Sequence, residues 1–129
     1  MGGYDFIDTS QAVMPLESGM TALSLGIETK GGFFTPLIPR GTAVPCRCTE
    51  TFTTADDHQP HIKVTVYQGH SERAVDNQRI GEYEVTVPDP GLRGTAMMEI
   101  TFDLDPHGTF RLMARDAASG REATVRTVR

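Results

Sequence analysis

Met98-Glu-Ile-Thr-Phe-Asp-Leu104, Asp105-Pro-His-Gly108 and Phe110-Arg-Leu-Met-Ala-Arg115 form the stretch on which the fold turns. Met98, Ile100, Phe102 and Leu104 alternate with polar residues, so a strand places all four on one face. Asp105 to Gly108 has turn chemistry, with Pro presetting φ at the second position and Gly closing the turn. Beyond it Phe110, Leu112 and Ala114 again share a face. The spacing predicts an antiparallel hairpin, 98–104 against 110–115.

The same period runs outward from that hairpin. In His61–Tyr67, Ile62, Val64 and Val66 share one face, with His61, Lys63 and Thr65 on the other. Glu82–Val87 gathers Tyr83, Val85 and Val87 before Pro88-Asp-Pro-Gly91 stops it. Ser24–Thr29, Phe33–Ile38 and Val44–Thr54 read as strands separated by Gly31-Gly32 and Pro39-Arg-Gly41. Pro45 places the third at an edge or a strand start, because Pro donates nothing to a ladder. Ala117-Ala-Ser-Gly120 is a further turn, and Glu122–Val128 a last strand. His70–Asn77 is the one short helical candidate. Seven or eight short strands predict an all-β sandwich of two sheets over residues 22–129. Residues 1–21 show no sustained period and read as a tail with an apolar patch, Ala12–Leu16.

Composition narrows the function classes. A chain of 129 residues suits one domain. Thirteen Gly and eight Pro, with no Trp, fit a fold with many turns. Twelve basic against seventeen acidic residues give −5, which argues against nucleic acid as a partner. Arg111, Arg115, Arg121, Arg126 and Arg129 alternate with apolar residues and read as the wet faces of strands. No apolar run is long enough to span a bilayer, and no secretory signal is visible, so no membrane partner is expected. Cys46 and Cys48 fall on one strand face, where a bridge across so short a loop would be strained. Free thiols imply a reducing compartment, and the cytoplasm is the expected location.

Motifs for bond chemistry do not appear. There is no Gly-x-x-x-x-Gly-Lys phosphate cradle, no dinucleotide fingerprint and no Gly-x-Ser-x-Gly elbow. The expectation is a chain that is not an enzyme and carries no cofactor. Asp56-Asp57-His58-Gln59-Pro60-His61 is the densest polar cluster. Its carboxylates and imidazoles are of types that ligate metals, but the spacing matches no zinc module, and Asp and Pro favour a solvated turn. No metal site is expected, and His70 and His107 fall in exposed loops.

A longer series of residues resembles a known family. Ser24-Leu-Gly-Ile-Glu-Thr29, Gly31-Gly32 and Thr35-Pro-Leu-Ile38 open it. Phe52-Thr-Thr-Ala-Asp-Asp57, Gln59, Val64-x-Val-Tyr-Gln-Gly69, Arg73-Ala74, Asp76-Asn77 and Gly81 continue it. Arg93-Gly94, Glu99-Ile-Thr-Phe-Asp103, Gly108, Ala114, Asp116, Ser119-Gly120 and Glu122 complete it. In this order, and without gaps, the series is similar to the substrate-binding domain of the 70-kDa heat-shock chaperones.

The resemblance implies two packed, mostly antiparallel four-stranded sheets with a peptide groove at one end. It implies chaperone-type capture of extended, apolar polypeptide segments. Pocket-lining positions are Ile27, Phe52, Ile62, Val64 and Met98; without the resemblance each reads as ordinary sandwich core. Thr29, Thr53 and Gln59 match positions near the peptide backbone. Lys30 and Ala55 match the two halves of an arch over the bound segment, and Asp57 and Arg93 match positions that latch a helical lid. Implied partners are unfolded polypeptides, an ATPase domain and co-chaperones, with ATP bound only by that separate domain. Three departures stand out. Lys30 replaces an apolar arch residue. Leu16-Glu-Ser-Gly19 replaces a leucine-rich linker, making residues 1–21 a remnant linker. Neither ATPase nor lid sequence is found. These leave open a module that binds a fixed partner, or that self-associates through Ala12–Leu16.

Overall fold

The computed structural model describes residues 12–128. Strands follow the period-two segments: β1 Leu16–Glu17, β2 Met20–Thr21, β3 Ser24–Thr29, β4 Phe33–Ile38, β5 Cys46–Phe52, β6 His61–Gly69, β7 Gln78–Thr86, β8 Met98–Leu104, β9 Phe110–Asp116, β10 Glu122–Ala123 and β11 Val125–Thr127. The helical candidate at 70–77 shrinks to a 3₁₀ turn, Ala74–Asp76. Sheet order is β10-β9-β8-β5 in one layer and β11-β7-β6-β3-β4 in the other, with β1-β2 a separate hairpin. The protein is an all-β sandwich of antiparallel sheets, as the alternation predicts. β5 lies at an edge directly after Pro45, where the missing N–H removes no ladder bond.

The decisive hairpin forms in the predicted register, from Met98↔Asp116 to Leu104↔Phe110. Its turn is held twice over. Gly108 N–H donates to Asp105 O at 2.9 Å, and the Asp105 carboxylate accepts from His107 N at 2.8 Å and Thr109 N at 2.9 Å. Those bonds, that from Thr109 foremost, hold the Asp105 carboxyl below the usual carboxylate range. A depressed native pKa stabilises the fold above the unfolded value near pH 4, and the contribution is lost as pH falls through the native value. Asp105→Asn is therefore expected to flatten the acid limb of a Tm-versus-pH curve. Parallel curves for parent and variant below about pH 4 would contradict it.

Two expectations need correction. The first concerns the sheets, which hold four and five strands rather than four each. Glu122–Val128, expected as one strand, divides between the layers: Glu122 and Ala123 pair with β9, while Val125–Thr127 pair with β7. Thr124 lies at the crossing, its carbonyl accepting from Thr86 N at 2.9 Å. A strand at a sandwich corner can serve both sheets by bending, a choice that alternation alone does not encode.

The second concerns the tail. Residues 1–11 lie outside the described residues, but residues 12–21 are built into the sandwich. Val13 bridges Thr109, Met14 N donates to Gly108 O at 2.8 Å, and Phe110 N donates to Ala12 O at 2.8 Å. Met14 is 4% exposed and joins the main core. Gly108 permits this approach, because a Cβ there would stand 2.6 Å from Met14 O. Ser18 and Gly19, at φ 54° and 76°, make the tight turn of the β1–β2 hairpin. The buried Thr21 then donates to Pro39 O at 2.9 Å and accepts from Thr42 N at 3.0 Å. Within the Ala12–Leu16 patch, Met14 is thus buried in its own chain while Val13 stays exposed.

Between the layers lies one core. Leu25, Val66, Val85, Met98, Ile100, Phe102, Leu104 and Phe110 are its fully buried side chains. Outer faces carry cross-strand pairs instead: Arg115 with Glu99, Arg126 with Glu84, Arg47 with Asp103, and Thr49 with Thr101. Arg115 and Arg126 are therefore wet-face residues, each ion pair worth about 0–1 kcal/mol. Cys46 and Cys48 are free, half-buried thiols, and burial pushes both up in pKa. They pack as small apolar side chains.

Candidate functional site

Antiparallel register decides which loops meet. Thr29 pairs with Phe33, Phe52 with Met98, His61 with Thr86 and Met98 with Asp116. The C-terminal ends of β3, β5, β7 and β9 therefore lie at one end of the sandwich with the N-terminal ends of β4, β6 and β8. Loops 53–60 and 88–97 and the Lys30–Gly32 turn share that end. The N-terminal segment docks at the opposite end, beside Gly108.

The five expected pocket residues converge. Ile27, Ile62, Val64 and Met98 belong to the same buried cluster, and Phe52 packs against it half-buried. Exposure rises from 0% at Met98 and 3% at Val64 to 6% at Ile62 and 7% at Ile27. The cluster reaches the surface at Phe52, where β5 runs into loop 53–60. Lys30 is exposed at the end of β3, and Ala55 is exposed in the loop.

Loop 53–60 is fastened by its own polar side chains. The Gln59 amide oxygen accepts from Ala55 N at 2.9 Å and Asp56 N at 3.1 Å, and its Nε2 donates to His61 O at 2.6 Å. Thr53 Oγ1 donates to Ala96 O at 2.7 Å, and buried Thr54 accepts from Gly94 N at 3.1 Å. Asp57 Oδ1 accepts from Arg93 N at 3.0 Å, and His58 N donates to Gly91 O at 2.6 Å. Loops 53–60 and 88–97 are therefore laced together, and the Asp57–Arg93 pairing runs through the Arg93 main chain. Thr29 Oγ1 lies 3.0 Å from Thr35 Oγ1. The side chains of Thr29, Thr53 and Gln59 thus bond within the protein.

In the Asp56–His61 cluster, Asp57 Oδ1 and the His58 main chain bond to the 88–97 loop. Among the described residues, no three His, Cys, Asp or Glu gather as metal ligands. Sequence reasoning missed one feature at this end, an open hollow of about 450 Å³ bordered by Asp89, Thr95, Met97, Asp116 and Ala118. Its walls come from two loops distant in the chain, so no local pattern announces it.

A family model described as Hsp70 protein matches residues 13–128, nearly the whole described chain. The chain belongs to the Hsp70 family. At family level, membership carries a chaperone-type role and the binding of polypeptide substrates. The Hsp70 match starts at Val13, the residue that bridges Thr109, so the docked N-terminal segment lies inside the family region.

Proposed function

We propose that this Hsp70-family chain is a peptide-binding module that holds extended, apolar polypeptide segments at the loop-bearing end of the sandwich and makes or breaks no covalent bond. The observation that carries the reading is the convergence of Ile27, Phe52, Ile62, Val64 and Met98 on one cluster that surfaces beside a fastened loop. A guest Leu side chain settling against Phe52 and Ile62 would gain about 1.5–3 kcal/mol by burial. Loop and strand main chain around residues 29–30 and 53–55 would hold the guest backbone, a contact that tolerates almost any sequence. Lys30 and Ala55 flank this rim, and Lys30 brings a charge where the resemblance implies an apolar arch. The resemblance matches Asp57 and Arg93 to positions that latch a lid, and Arg93 N donates to Asp57 Oδ1 at 3.0 Å.

Such a site binds promiscuously and with micromolar-range affinity, because ordering the guest offsets much of the gain. Titrating a fluorescent Leu-rich heptapeptide into the folded protein tests the reading. Saturable binding with a Kd in the micromolar range is expected. Anisotropy that stays flat into the high-micromolar range, with the fold verified, would overturn it.

A further inference from the structure

The chain holds two cysteines, and both lie on β5. β5 pairs with β8 along its whole length and is the last strand of the four-stranded layer. Cys46 stands opposite Leu104 and Cys48 opposite Phe102. Leu104 and Phe102 are fully buried, whereas both thiols are half-buried and pack against the margin of the core. Arg47, between them in the chain, belongs to the other face and pairs with Asp103. Side chains two positions apart on one strand face stand roughly 6.7 Å apart at Cα, and χ1 rotation can lean the two sulfurs toward one another. Glu50 continues the same face, its Oε2 3.7 Å from Cys48 Sγ. Two thiols and a carboxylate thus occupy alternate positions of one strand, at the end of β5 away from Phe52.

We propose that Cys46 and Cys48 together bind one soft cation of the Cu(I) type between their sulfurs. Thiolate sulfur selects such ions over hard, oxygen-seeking ones. Two sulfurs fill the shell of a linear d¹⁰ ion, so the site needs no zinc-module spacing. On binding, each S–H bond breaks, its proton passes to water, and its electron pair forms the S–Cu bond. Two protons leave, copper stays Cu(I), and nothing is oxidised or reduced. The Glu50 carboxylate disfavours a bare thiolate pair beside it and favours a cation there. Partial exposure leaves both sulfurs within reach of an incoming ion.

Anaerobic titration of the reduced full chain with Cu(I), supplied as its bicinchoninate complex, tests this. One Cu(I) per chain should transfer, with a thiolate-to-copper absorption rising in the ultraviolet and a two-sulfur shell in X-ray absorption. Cys46→Ser and Cys48→Ser should each weaken uptake at least about a hundredfold, more than losing an outer-shell partner costs. Both should keep the parent's circular dichroism; should a serine unfold the protein, Cys46→Ala and Cys48→Ala supply the same comparison with an apolar side chain. A parent that takes no copper from the chelator overturns the proposal. So does a single variant that still binds one equivalent, which assigns the ion to a lone cysteine or to other donors. One Cu(I) per two chains, with a dimer in sedimentation, assigns the sulfurs to two copies and overturns it equally.

Discussion

Ile62→Phe weakens binding of a Leu-rich heptapeptide by at least about tenfold while leaving the fold intact. Ile62 sits at the start of β6, opposite Val85, and is 6% exposed where the cluster approaches the surface. A phenyl ring placed there has two ways to go. Turned inward it overpacks, at about 1–3 kcal/mol. Turned outward it fills the space that a guest leucine would enter and removes about 1.5–3 kcal/mol of burial, a ten- to hundredfold loss. Ile62→Leu, nearly equal in volume, should retain both fold and binding. Circular dichroism and Tm report the fold, and anisotropy reports the affinity. Equal affinities in parent and Ile62→Phe, both folded, would move the site elsewhere.

Phe110→Ala carries the largest expected cost to stability, about 3–5 kcal/mol. Phe110 is 1% exposed, lies edge-on to Tyr83 of the opposite sheet at 6.0 Å, and stacks near Phe102 at 6.3 Å. Its main-chain N–H also receives the N-terminal segment at Ala12. Removing the ring thus leaves a cavity at the point where both layers and the docked segment meet. Domains of this size hold about 5–15 kcal/mol in total, so the variant should melt more than about 10 °C below the parent. Leu92→Ala, at an exposed loop position, should change Tm by no more than about 2 °C. A Phe110→Ala variant within a few degrees of the parent would show that the core collapses around the vacancy, contrary to this packing.

Legibility followed range. Strands β3, β4, β6, β8 and β9 could be read to within a residue or two, because each buries one face and alternation then reports the backbone directly. Asp105–Gly108 was equally plain, since Pro and Gly have fixed backbone consequences. Residues 12–14 could not be read. Nothing in Ala12-Val-Met14 states that Gly108 leaves room for Met14, or that Phe110 N–H needs Ala12. The polar loop was partly legible: Gln59 and Asp57 could be singled out, but not that both are spent on neighbouring main chain.

By itself, then, the amino-acid order determined the all-β class, the strand faces, the decisive hairpin and the family series from Ser24 to Glu122. These are local properties, carried by side-chain alternation and turn residues within a few positions of one another. Tertiary structure alone decided that Glu122–Val128 serves two sheets and that the chain from Ala12 packs onto the core. Those outcomes depend on hydrogen-bond partners and free volume contributed by residues dozens of positions apart, which no local pattern records.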